Sequence, residues 1–213
     1  MILITKDREP ESLTKFLSKQ ENKRMTWNDF SKNNYDIKQE ISLSLCKEQG
    51  FICAYCMREL ESNPVIEHYK CRDRYPDKIY DYKNLLAVDN KGNPKFQDCC
   101  ENAKGSKDIS LDPLSLDCIK TIKYSQSGEI CSSVEEYNND INSVLNLNSN
   151  SLKNLRSNIY RQVISQFSNI TNLEELEESL EKVKRKDSDG KLLPMCGLYI
   201  WYLDNILREK FTS

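Results

Sequence analysis

Two cysteines separated by two residues, Cys53-Ala-Tyr-Cys56, follow directly on a helix-patterned run that stops at Gly50. Thiols at this spacing reach one point only if the chain turns tightly, and such a turn is half of a tetrahedral metal site. The chain holds nine cysteines in 213 residues, at 46, 53, 56, 71, 99, 100, 118, 131 and 196. The number is odd, and Met1-Ile-Leu-Ile-Thr-Lys-Asp-Arg8 lacks the basic-then-apolar pattern of a secretory leader. The expectation is therefore a cytoplasmic, reducing setting, where a C-x-x-C pair binds metal or does redox chemistry rather than stapling the fold. A thioredoxin-like role needs a βαβ pattern around the pair, and none is present. The rest of a zinc site has to come from downstream. Cys99 and Cys100 are the best placed, but adjacent residues rarely both reach one ion, so Cys71 and Cys118 stay open as the completing ligand. Cys46 and Cys196 fall in apolar helical patterns and read as core.

Around this turn the composition is that of a soluble globular chain, with 38% hydrophobic and 30% charged residues. It is long enough to bury a real core. No apolar run approaches the ~20 residues that span a bilayer. Net charge is −2 and the isoelectric point about 5.7, so no global basic footprint advertises nucleic acid. Any such contact has to be local or supplied by a partner. Residues 1–35 read as irregular. Ile37, Ile41 and Leu45 predict a helix over Tyr35 to Gln49. Val65 to Tyr69 and Leu85 to Val88 predict short strands, and residues 90–98 a polar loop. Cys99 to Lys107 predicts a short helix, and Thr121 to Ser132 a hairpin. Leu152, Leu155, Ile159, Val163 and Phe167 mark a long helix. Thr171-x-x-Glu174 reads as a capping box before a second stripe, Leu173, Leu176, Leu180 and Val183. Asp187 to Gly190 reads as a turn, and Pro194 as the start of a final helix holding Trp201, Tyr202, Ile206 and Leu207. The expected class is α+β: an N-terminal arm and helix over 1–50, a small metal core with its hairpin over 51–132, and a helical region over 133–213.

The chain has one histidine, His68, in Ile66-Glu67-His68. Histidine is the side chain whose unperturbed pKa lies between pH 5 and 8. An arbitrary Glu-His pair is ordinarily a solvated surface feature. Strand neighbours also point to opposite faces, so the two converge only at a strand end or bulge. If they do, the pair suits phosphodiester hydrolysis, which needs a base for water and a divalent cation for charge on the phosphate. His68 fits the first role. Glu67, a hard oxygen donor, fits Mg²⁺ or Mn²⁺. Asn84 precedes the second apolar run, and Asn102 lies in Cys99-Cys-Glu-Asn102-Ala-Lys104-Gly105. Lys70, Arg72 and Arg74 follow His68 closely and could meet phosphates.

The order of a cysteine pair, Glu-His, an Asn before a second strand, then cysteines leading into Asn near Lys-Gly resembles the HNH endonucleases over about residues 50 to 107. That resemblance implies a ββα-metal core with a zinc knuckle. It implies His68 as general base, Glu67 and Asn102 as ligands of a catalytic Mg²⁺ or Mn²⁺, and Asn84 as the brace that orients His68. It places structural Zn²⁺ on Cys53, Cys56 and the Cys99-Cys100 region, and Lys104, near the metal ligand, could join Arg72 and Arg74 in meeting phosphate. Further stretches are similar to the Septu- and retron-associated HNH proteins, the PtuB type. They are Glu9-Pro-Glu-Ser-Leu13, Gln49-Gly-Phe-Ile-Cys-Ala-Tyr-Cys-Met57, Leu111-Asp-Pro113, Leu145-Asn-Leu-Asn148 and Cys196-Gly-Leu-Tyr-Ile-Trp-Tyr-Leu203. This likeness implies a DNA-cleaving effector of anti-phage defence that works with an ABC-type ATPase, PtuA. The chain departs from the pattern twice. Asp89-Asn90 stands where relatives place a cysteine after the second strand, and Asn102 stands where several have His. Two other readings follow from the same residues: an RNA-cleaving nuclease, and a zinc-stabilised adaptor to the ATPase without catalysis.

Overall fold

A computed structural model describes residues 1–60, 64–89 and 96–212. The architecture is α+β, with helices built around two separate two-stranded antiparallel sheets. In the first sheet β1 (Val65–His68) pairs with β2 (Leu85–Val88), in a register that sets Val65 opposite Val88 and His68 opposite Leu85. Both strands lie where their apolar residues predict. His68 is the last residue of β1, so the chain leaves the sheet immediately after it.

A lone two-stranded sheet is marginal in water. Here the free edge of β2 is covered. Gln49, at the end of α3 (Tyr35–Glu48), donates from Nε2 to the Ile52 and Ala87 carbonyls at 2.9 and 2.7 Å. Its Oε1 accepts from the Ala87 N–H at 2.8 Å. The cysteine turn docks on the same rung, with Ala54 N–H donating to the Ala87 carbonyl at 3.1 Å. The turn itself closes through Cys53 N–H to the Arg58 carbonyl at 2.8 Å and Met57 N–H to the Cys53 carbonyl at 3.0 Å. Phe51 and Met57 flank it in left-handed backbone, with φ of +58° and +59°.

The N-terminal arm differs from expectation. It holds α1 (Glu11–Leu17) and α2 (Trp27–Asn33) rather than irregular chain. Thr26 caps α2, accepting from the Asp29 N–H at 3.2 Å. Each helix has seven residues, too few to display an apolar period. Tertiary packing stabilises them instead: Phe16, Trp27 and Phe30 gather around Tyr80, with Phe16–Phe30 ring centroids 5.0 Å apart and Phe30–Tyr80 5.4 Å apart.

After α4 (Glu101–Lys104) and α5 (Leu116–Lys120), β3 (Ile122–Tyr124) and β4 (Ile130–Ser132) form the expected hairpin. The short α6 (Glu135–Asn139) and the long α7 (Asn150–Gln166) follow. Arg156 of α7 is buried and donates to the Gly128 and Leu147 carbonyls at 2.7 and 2.6 Å, clamping hairpin and loop together. The cap of α8 (Leu173–Lys184) is shifted by one residue from the expected box. Asn172 accepts from the Glu175 N–H at 2.9 Å, and Glu175 reaches back to the Thr171 N–H at 2.9 Å. Asparagine at the cap position satisfies the backbone at least as well as threonine. The last helical stretch starts at α9 (Cys196–Trp201), not Pro194, widens over 202–207 and ends in α10 (Glu209–Thr212). Met195 takes φ +60° so that its N–H donates to the Met57 carbonyl at 2.9 Å, which delays the helix. Gly197 lets this helix approach the turn, since a Cβ there would fall 2.7 Å from Met57 Sδ. Buried apolar residues run as one cluster from Met1 to Leu207. Among the described residues no helix is long and apolar enough to cross a membrane.

Gln49→Leu tests the bridge. It leaves the buried Ala87 N–H without its partner, and should lower unfolding free energy by on the order of 3 kcal/mol in urea titration. A loss under about 0.5 kcal/mol would mean that the bridge carries no stability.

Candidate active site and thiol cluster

Beside the end of β1 lies a cleft of about 650 Å³. Glu67 and His68 both line it, although they are strand neighbours, because the strand ends at His68. Trp27, Ser31, Tyr35 and Lys38 of α2 and α3 form one wall, and Cys71, Arg72, Asp73 and Glu101 lie across from it.

His68 is 5% exposed. Its ring meets the Trp27 ring edge to face at 4.6 Å. Nε2 lies 3.0 Å from the Ile79 carbonyl. A carbonyl only accepts, so Nε2 carries the proton and Nδ1 keeps its lone pair. Burial pulls the imidazole down to about 4; the Ile79 carbonyl opposes this, and the Arg72 and Lys104 charges add to it. His68 is thus neutral at pH 7, the state a base requires. Asn84 braces the loop that carries Ile79. Its Oδ1 accepts from the Lys70 N–H at 2.7 Å, and its Nδ2 donates to the Lys70 and Lys78 carbonyls at 3.1 and 3.0 Å. It therefore acts on His68 through the backbone, not by touching the ring.

Glu67 is 6% exposed and Lys104 1%. Lys104 Nζ lies 2.6 Å from Glu67 Oε1 and donates to the His68 carbonyl at 3.1 Å. The ammonium neutralises this buried oxygen. Burial pushes the Glu67 carboxyl above its ordinary range, and Lys104 opposes the shift. A carboxylate is a hard donor, and its second oxygen is the one left for a cation. Asn102 is half-buried on α4, one residue or about 100° round the helix from Glu101. Glu101, not Asn102, lines the cleft. Lys104 is likewise inside the protein rather than on the surface where phosphate would be met. Arg72 is exposed at the cleft, while Arg74 is held by Asp108 at 2.7 Å. Trp27, Glu101 and the Ile79 carbonyl were not predicted. Only Glu101 carried a sequence signal, its place one helical turn before Lys104.

The thiols of Cys53, Cys56 and Cys100 gather within 4.8 Å of one another, all buried. Burial alone would push the Cys53 thiol up. Its contacts with Cys100 and Cys56, and the backbone N–H groups of Cys56 and Tyr55, outweigh that and hold it well below the ordinary thiol range. The same contacts push the Cys56 and Cys100 thiols well above it, so of the three only Cys53 is held toward the thiolate. Cys100 sits in strained backbone at φ +58° and ψ −129°, held by its N–H to the Leu145 carbonyl at 2.9 Å. The set is all sulfur and suits a soft or borderline ion. Cys99 adjoins Cys100, but its sulfur lies 3.3 Å from the Phe96 carbonyl. Cys71 lines the cleft and Cys118 contacts Tyr137, so neither is among the clustered thiols. Residue 90, in the predicted loop, lies outside the described residues; Asp89 pairs with Arg58.

The sequence matches no protein-family model and no curated protein.

Two outcomes follow from this geometry. The single imidazole should titrate near pH 4 in proton NMR of the folded chain. Its folded pKa lies below the unfolded value of about 6.5, so the neutral form favours folding. That stability is complete above about pH 6.5 and is lost as pH falls toward 4. A midpoint near 6.5 would show the ring to be solvated. For the thiols, elemental analysis should find about one thiophilic metal ion per chain, and Cys53→Ser should lower both metal content and melting temperature. A well-folded, metal-free protein would refute this.

Proposed function

We propose that this chain is an HNH-type endonuclease that hydrolyses a phosphodiester backbone, DNA in the first instance. The carrying observation is that Glu67 and His68 share one cleft, with His68 neutral and held through Nε2. Held in this way, His68 takes the proton of the attacking water at Nδ1. The Ile79 carbonyl fixes the ring, and Asn84 fixes the loop behind it. Glu67 is the residue that would hold Mg²⁺ or Mn²⁺, through the oxygen that Lys104 does not touch, with Glu101 of α4 in the place expected of Asn102. Such an ion, when bound, stabilises negative charge on the phosphate and leaving oxygen. Zn²⁺ is the ion proposed for Cys53, Cys56 and Cys100, with Cys99 nearest to complete the set. Its role is structural, since the cluster anchors the turn that docks on β2. Anti-phage defence with a PtuA-like ABC-type ATPase rests on the sequence resemblance alone, and so does DNA over RNA. The acidic isoelectric point of about 5.7 agrees with a partner that supplies nucleic-acid affinity.

The adaptor reading draws on one observation: His68 is 5% exposed and Glu67 is already neutralised by Lys104. His68→Ala separates the two. With plasmid DNA, or an RNA of matched length, and Mg²⁺ or Mn²⁺, alone and with the ATPase, cleavage should fall by on the order of 10²–10⁴-fold. Folding and bound zinc should be retained. Undiminished cleavage by this variant would remove the catalytic claim, and a wild type inactive on both polymers would favour the adaptor.

A further inference from the structure

The cleft has a wall that the proposed hydrolysis does not use. Trp27 and Ser31 of α2 and Tyr35, Lys38 and Ser42 of α3 all face it, three or four residues apart. Asn34, at φ −129° and ψ 52°, breaks the helix between them, so two helix faces meet at this wall. Such faces are ordinarily apolar and covered. These faces are aromatic and polar, buried at Trp27 and open at Tyr35. Tyr35 is 63% exposed, more than any other large hydrophobic side chain among the described residues. Ser31 Oγ is buried and has no hydrogen-bond partner. Trp27 ties the wall to the floor through its contact with His68.

Charge decides what could lie there. Glu67 is paired with Lys104, and the remaining groups of the cleft, Asp73 and Glu101 against Lys38 and Arg72, cancel. A phosphate chain gains little from such a surface by charge alone. An uncharged base face gains from an exposed aromatic ring. The volume lies within the range of a pocket for one small ligand.

The geometry points to a seat for one unpaired nucleobase on the α2–α3 wall, stacked on Tyr35 and hydrogen-bonded at its edge by Ser31 Oγ. Lys38, one turn along α3, meets the adjoining phosphate. The site then takes single strands or loops rather than duplex, because a paired base has its faces covered and its edge occupied. This rests on the nuclease reading of the cleft. DNA and RNA offer the same base chemistry, so the test carries both.

The test is fluorescence anisotropy on the full chain without added divalent ion, so that nothing is cut. The probes are a labelled twelve-nucleotide thymidine strand, the matching uridine strand, and a DNA duplex of the same length. The wild type should bind single strands more tightly than duplex. Tyr35→Ala should weaken single-strand binding by on the order of tenfold. Tyr35→Trp should retain it, Ser31→Ala should cost a smaller factor, and duplex binding should not move. Tyr35 is exposed, so its variants should fold, and circular dichroism checks this. A tighter thymidine or uridine strand supports the seat equally and identifies the sugar preferred. Wild-type binding by Tyr35→Ala, or a wild type that prefers duplex or binds neither strand, overturns the proposal. No cleavage enters this measurement, so its failure is distinct from that of the His68→Ala assay.

Discussion

Ala87 is the residue on which the arrangement of the first half depends. Its N–H and carbonyl lie on the open edge of β2, where they would otherwise face solvent or another chain. Gln49 takes both, and Ala54 shares the carbonyl. One rung thus joins α3, the cysteine turn and the two-stranded sheet. Register does the rest. With Ile66 opposite Ala87, Glu67 and His68 must be the residues opposite Leu86 and Leu85, at the point where β1 ends. The cleft residues are placed by backbone hydrogen bonding before any of their side chains makes a contact.

The second constraint is the treatment of buried charge. Leaving an ion unpaired in the interior is expensive, and the described interior answers with partners. Lys6 meets Glu48 at 2.7 Å, and Glu48 also accepts from Tyr82 Oη at 2.6 Å. Arg156 meets three oxygens of the hairpin and the following loop, Asn148 Oδ1 included. Lys104 meets Glu67 and the His68 carbonyl. The last pair differs because it borders a cleft. Its carboxylate lines the cleft, while the imidazole beside it is kept neutral by burial. A carboxylate and a neutral imidazole thus share one niche.

Much of the fold is legible in the sequence where one element supplies its own signal. The helix over Tyr35–Glu48, the strands Val65–His68 and Leu85–Val88 and the 122–132 hairpin follow from apolar period and turn residues. Helices of seven residues do not, because Phe16, Trp27 and Phe30 find their partner at Tyr80, 50 to 64 residues away in the chain. The same division holds at the site. Glu67, His68, Asn84 and the paired cysteines are recognisable by residue type and spacing. The Ile79 carbonyl is not, since a backbone oxygen leaves no mark on the sequence. Gln49 and Arg156 read as ordinary helix residues until their partners are known.

The amino-acid order alone determined the residue types of the site, with one imidazole, a carboxylate beside it, and thiols spaced for a shared ion. It also determined the local elements that carry them, because helix and strand periods are short-range properties of neighbouring side chains. Only the tertiary structure decided that Cys100 joins Cys53 and Cys56, that Lys104 turns inward to Glu67, and that α2 and α3 wall the cleft. Those outcomes depend on which distant groups satisfy one another once water is excluded, and no local pattern encodes that.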